Sequence, residues 1–223
     1  DYHLGDPLFL TGLAQDIARA QRPALLLHAG REAAATALEA QGVFDPDTVL
    51  GGPLGEHGAV VERALRDQNR TIAAALTEAG VAAVRLMASD RGLVRIDGDG
   101  ADSQLRMGET DWVAGLLRQR SCVVVAALAE TAAGPRLLHP SALAAALGPA
   151  LHVPVVVLTV GRRPGLLLNG AVAETAGIAA LGAGGEVPGA AVARAVVEAG
   201  GQAVVTSRGG AFDPTGAKGT RLV

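Results

Sequence analysis

Positive charge that can hold a phosphate or carboxylate is carried in this chain almost wholly by arginine. Of nineteen Lys and Arg residues a single one, Lys218, is lysine, so a phosphoryl-transfer mechanism that needs two lysines is closed to it. Arg162 and Arg163 are adjacent in a segment between an apolar run and Pro164-Gly165. Their planar forks suit phosphate or carboxylate, and the pair reads equally as an anion clamp or as a solvated turn. Arg208, near the end of another apolar run, is placed for ligand contact. The turn His28-Ala29-Gly30 precedes a predicted helix starting near Arg31. Backbone amides there, together with the helix N-terminus, make an anion site, while His28 itself reads either as a neighbour of that site or as a structural histidine. Ser141 follows Pro140 and precedes Ala142–Leu147 at helical spacing. It therefore reads as a helix N-cap rather than a nucleophile. His57, His139 and His152 lack metal-ligand spacing, and no metal site is predicted. Cys122 in its apolar run, and Trp112 at helical spacing with Leu116, read as core.

The elements that must position these residues alternate in kind. Short apolar runs at Ala24–His28, Ala82–Met87, Cys122–Ala127, Val153–Val160 and Gln202–Thr206 predict buried parallel strands. Alanine- and leucine-rich stretches at Arg31–Gln41, His57–Leu65, Asn69–Ala79, Thr110–Gln119, Ser141–Leu151 and Gly189–Ala199 predict helices. Such alternation argues for an α/β fold with helices on both faces of a mainly parallel sheet. Arg91–Asp97 and Ser103–Met107 predict a β-hairpin turning at Gly98-Asp99-Gly100.

Composition narrows the function classes. With 223 residues, 49% of them hydrophobic and 18% charged, the chain is globular rather than disordered. A net charge of −3 gives no pull toward nucleic acid or anionic membrane. The single cysteine excludes an internal disulfide framework and suits a reducing compartment. No apolar stretch reaches the roughly 20 residues that span a bilayer, and the first residues lack the basic region of a signal peptide. A cytoplasmic protein with neither nucleic-acid nor membrane partners is expected.

A collinear series of motifs resembles the acetylglutamate kinases of the amino acid kinase family. Ala24-Leu25-Leu26-Leu27-His28-Ala29-Gly30 is similar to that family's apolar strand and His-Gly-Gly turn, and Asn69-Arg70-Thr71-Ile72 to its Asn-Lys-Thr helix. Val155–Thr159 followed by Pro164-Gly165-Leu166-Leu167 resembles the nucleotide-lobe strand and hairpin. Ala203–Arg208 and Gly219–Val223 resemble the closing strands, and Tyr2-His3-Leu4-Gly5-Asp6 an altered copy of the opening Lys-x-Gly-Gly strand. The resemblance implies a three-layer αβα sandwich, usually dimeric. Its N-terminal lobe, residues 1–140, would lie on the substrate side and its C-terminal lobe, residues 141–223, on the nucleotide side. It also implies ATP or ADP with magnesium as cofactor and a small anionic metabolite or nucleotide as ligand. The substrate-side positions are His28, Ala29, Gly30 and Asn69; the nucleotide-side positions are Thr159, Gly161, Arg162, Arg163, Gly165 and Arg208.

The same resemblance shows what is altered. His3 stands at the family's first lysine, Gly189 at its second, and His139 and Ser141 where it has Asn-x-Asp. Near Gly51-Gly52-Pro53 no equivalent of its substrate arginine is found. Two anions must approach each other when a carboxylate attacks ATP, so losing those charges removes most of the means of catalysis. The expectation is a catalytically impaired member that binds a small anion or nucleotide, or regulates. The alternatives are an active divergent kinase with relocated charges, and a storage or scaffold oligomer.

Overall fold

The computed structural model of the chain describes residues 4–98, 104–158, 165–168, 170–183, 189–213 and 218–223. The chain divides into two compact units, one of residues 1–18 and 22–140, the other of residues 19–21 and 141–223.

The first unit opens with α1, Pro7–Ala20, a helix that follows directly on the Tyr2–Asp6 segment and was not among the predicted ones. Leu4 and Gly5 form a turn, and Asp6 Oδ1 accepts the Leu8 amide at 2.9 Å in the manner of an N-cap. Pro7 then takes the first helical position, where its missing N–H costs nothing. Leu10, Leu13, Ala14 and Ile17 are the buried apolar stripe. The chain continues through β1 (Leu25–His28), α2 (Arg31–Glu39), α3 (Pro46–Leu50) and α4 (Gly58–Glu78) to β2 (Ala83–Met87). The hairpin β3 (Val94–Asp97) and β4 (Gln104–Met107) follows, antiparallel as expected. Its turn residues 99–103 lie outside the described residues. Then come α5 (Asp111–Arg118), β5 (Cys122–Ala126), β6 (Leu128–Thr131) and β7 (Gly134–Leu137).

The strand order β1-β5-β2 is wholly parallel. The connection from β1 to β2 crosses in one direction and that from β2 to β5 returns in the other. Right-handed crossovers therefore place α4 and α5 on opposite faces, giving helix, sheet and helix in three layers. Both helices pack on β5, and all five β5 residues are buried. The flanking strands β1 and β2 are only partly buried, because each is an edge. A second sheet has the order β4-β3-β6-β7.

In place of two predicted helices, α4 is one of 21 residues. Its buried positions Val61, Leu65, Asn69, Ile72 and Leu76 run through the polar Arg66–Asn69 segment without a break. Arg66 and Asp67 are satisfied on the solvent side, where Arg66 pairs with Glu62 at 2.6 Å and Arg70 pairs with Asp67.

The second unit contains α6 (Pro140–Leu151), β8 (Val155–Leu158), β9 (Leu167–Leu168), β10 (Ala171–Val172), β11 (Thr175–Ala176), α7 (Ala180–Ala183), α8 (Ala190–Glu198), β12 (Ala203–Thr206), α9 (Arg208–Ala211) and β13 (Thr220–Leu222). Its sheet has the order β11-β13-β12-β8, with β12 parallel to β8 and antiparallel to β13. Helix α8 packs on both β8 and β12. The short antiparallel β9–β10 pair is the hairpin foreseen after Gly165.

Two expected core residues separate here. Cys122 is buried, and burial pushes its thiol up to about 12. Trp112 is only half-buried, because Val113 is the position that α5 turns inward; the indole instead lies beneath the Arg91 guanidinium, 5.0 Å from the ring centroid.

Candidate functional site

In the first unit, β1 ends at His28 and the chain turns through Ala29 and Gly30 into α2. Gly30 occupies the N-cap position of α2 with left-handed φ 58° and ψ 28°, and no side chain caps the helix. The turn is pinned to the sheet, since Ala127 donates its amide to the His28 carbonyl at 2.8 Å. Ala29 is buried, and Leu65 of α4 occupies the space a Gly30 side chain would need.

His28 and Asn69 form a buried pair, 4% and 2% exposed. Asn69 Nδ2 donates to the Leu86 carbonyl at 2.9 Å, which leaves its Oδ1 as acceptor for the His28 Nε2–H at 2.7 Å. The imidazole is thereby fixed as the Nε2–H tautomer. Burial holds its pKa below the ordinary value of 6.5, against the smaller opposing effect of the Asn69 bond. Its other nitrogen, Nδ1, is buried without a hydrogen-bond partner among the described residues. Thus the two residues that resembled substrate-side positions bolt α4 to the ends of β1 and β2.

The segment Gly51-Gly52-Pro53, where an arginine was sought in sequence, is joined through its backbone to β7. Arg136 of β7 forms an antiparallel bridge with Pro53, and Leu54 donates its amide to the Pro135 carbonyl at 3.0 Å. Eighty-three residues of separation hid this meeting from sequence reading.

In the second unit, Gly189 caps α8 with φ 83° and ψ 3°. A β-carbon there would run into Val157 Cγ1 of β8. The position is closed twice over, by backbone conformation and by packing, so it cannot carry a lysine in this structure. The one lysine, Lys218, is committed to an ion pair with Asp213 at 2.9 Å. Around it the backbone is packed tightly: buried Thr206 donates its hydroxyl to the Lys218 carbonyl, and Gly165 lies where a side chain would meet Thr220 Oγ1 at 2.6 Å. Thr220 Oγ1 in turn accepts from the Leu166 amide at 2.8 Å and donates to the Ala173 carbonyl at 2.6 Å. Gly165 and Gly219 thus serve close packing of the strand ends as well as any ligand.

Arg208 begins the short helix α9, one residue beyond Ser207, whose hydroxyl caps that helix. Ser141, expected as an N-cap, instead lies in the first turn of α6; Pro140 is the first helical residue and exposed His139 precedes it. His3, Thr159, Gly161, Arg162 and Arg163 lie outside the described residues. Among the described residues no group of three or more His, Cys, Asp or Glu is arranged to hold a metal ion. No described helix is long and apolar enough to cross a membrane.

The fold has counterparts among solved structures. An N-acetylglutamate synthase from Neisseria gonorrhoeae, in complex with coenzyme A and N-acetyl-glutamate, superposes with a TM-score of 0.70 over 100% of this chain and 57% of its own, at 17% identity. An isopentenyl phosphate kinase gives 0.67 over 98% and 91% at 13% identity. The carbamate kinase of Giardia gives 0.65 over 97% and 90% at 13% identity.

The chain has the amino acid kinase fold.

At these identities the likeness is one of fold. No family model matches the sequence, and no curated protein matches it. In this chain Gly30 and Gly189 are left-handed caps of α2 and α8, and Gly165 and Gly219 lie where a β-carbon would meet neighbouring atoms.

Proposed function

We propose that this chain is a kinase-fold protein that binds a small anion or nucleotide without transferring phosphate, and so acts as a binding or regulatory protein. The observation that carries this reading is Gly189. Where the fold's lysine is expected, the backbone is left-handed and Val157 fills the side-chain space. No second lysine exists anywhere in the chain to replace it. The ligand is held at the start of α2, where no side chain caps the helix and its dipole favours an anion. In the second unit the fold suggests ADP or ATP with magnesium. Arg208 and the arginine pair Arg162-Arg163 are the residues that would meet its phosphates, and bound magnesium would supply further charge neutralisation there.

The test is a hydroxamate assay for acyl phosphate with ATP and several acylated amino acids, run beside calorimetric titration of ADP and of acetylglutamate. Binding without product is expected. Turnover near the 1–100 per second of ordinary kinases would overturn the reading. A second reading is a divergent active kinase with relocated charge, in which Arg136, whose backbone bridges Pro53, supplies the cation. Product formation that disappears in Arg136→Gln would establish it.

A further inference from the structure

Four non-glycine residues among those described have positive φ: Gln21, Arg91, Arg120 and His152. Gln21, Arg120 and His152 each stand just beyond a helix, where a left-handed residue closes the last turn. Arg91 has no such role. It sits inside the single turn Asp90–Gly92 between β2 and β3, with φ 55° and ψ 21°. A strained backbone away from a helix end persists when its surroundings hold it, and such residues cluster at ligand sites.

The strain delivers the Arg91 side chain onto Trp112. Arg95, the first outward residue of β3, folds back to the same turn. Its Nε and Nη2 lie 3.1 Å from where a Gly92 β-carbon would be, so the guanidinium rests against this turn. Both arginines are exposed, and neither makes an ion pair with a described residue. The carboxylates nearby are otherwise engaged or unpaired with them: Asp97 holds Arg106 at 3.0 Å, and Asp90 Oδ2 accepts the Met87 amide at 2.8 Å. Glu130 stands opposite Arg95 in the β3–β6 register without pairing. Arg106 itself faces Arg95 in the β3–β4 register. Like charges directly opposite on a sheet are unfavourable. Two exposed guanidinium forks without an ion pair to a described residue, one of them fixed by an aromatic ring, make a receptor for an anion that can accept bidentate hydrogen bonds.

We propose that Arg91 and Arg95 clamp a doubly charged tetrahedral oxyanion of the phosphate type beside Trp112, at a site separate from the α2 turn. Trp112 is the chain's one tryptophan, so its fluorescence reports this site and is blind to an anion bound at Gly30. Titration with inorganic phosphate should change the emission saturably, while chloride at matched ionic strength should not. Arg91→Gln and Arg95→Gln should each weaken the midpoint tenfold or more, as expected for loss of a charged hydrogen-bonding partner. Glu130→Gln should tighten it, and Arg70→Gln on α4 should leave it unchanged. Circular dichroism melts of every variant identify any that misfold; Arg91→Gly, which relieves the strained backbone, should fold and still lose the response. No saturable change in the wild type, or one that survives in Arg91→Gly and Arg95→Gln, sinks the proposal.

Discussion

His28 and Asn69 illustrate how a motif residue can serve the frame rather than the ligand. Removing the asparagine amide leaves the His28 Nε2–H without a partner in a buried place and takes the side-chain donor from the Leu86 carbonyl. Asn69→Ala should therefore lose about 3 kcal/mol of stability from the unpaired groups and the cavity, measured by urea denaturation. Protonation of His28 carries its own signature. The folded pKa lies below that of the unfolded chain, so between the two values the unfolded state binds the proton and the folded state does not. Stability from this residue is present above about pH 6.5 and falls as the pH drops below it. His28→Gln, read by the same denaturation at pH 7.5 and 5.5, should flatten that dependence. At Gly189 the expectation is stronger still. Gly189→Ala should cost about 2–4 kcal/mol, from the left-handed backbone and the collision with Val157 together. An unchanged denaturation midpoint would refute the packing argument.

Helix endings show a regularity that invites engineering. Helices α2, α4 and α8 close with Gly42, Gly80 and Gly200 in left-handed conformation, each with the paired 5→2 and 6→1 hydrogen bonds of a Schellman motif. Helices α5 and α6 close the same way on Arg120 and His152: Arg120 bonds Leu117 at 2.9 Å and Ser121 bonds Leu116 at 3.2 Å, while His152 bonds Pro149 and Val153 bonds Gly148, both at 3.1 Å. Because a β-carbon is penalised in that conformation, Arg120→Gly and His152→Gly should each stabilise by up to about 1 kcal/mol. Thermal melts are the check, and a lower Tm in both would show that the side chains contribute more than the backbone loses. Two other elements were within reach of the sequence but were not read from it. The Asp6-Pro7 pair ahead of the Leu10, Leu13, Ala14, Ile17 stripe announces α1 by cap and period. The Leu65–Asn69–Ile72–Leu76 spacing carries α4 through its polar middle.

For the molecule as a whole, Cys122 offers a single chemical reporter. It is buried in the middle of the central sheet and its thiol is pushed up to about 12. At pH 8 the folded protein should resist a disulfide reagent, and the labelling rate should follow opening of the β1-β5-β2 sheet. Rapid labelling with no dependence on denaturant would contradict the burial. The sequence by itself determined the alternation of strands and helices, hence the three-layer architecture, because apolar periodicity is a local property that folding obeys wherever a core must be covered. It also determined that two lysines cannot act here, since only Lys218 exists. Tertiary structure alone decided what the surviving motif residues do. Asn69 meets His28 across 41 residues, and Arg136 meets Pro53 across 83; Val157 closes position 189, and Arg91 rests on Trp112. Each of these contacts joins segments remote in the chain, and neither residue type nor spacing encodes which remote partner the packed core will bring alongside.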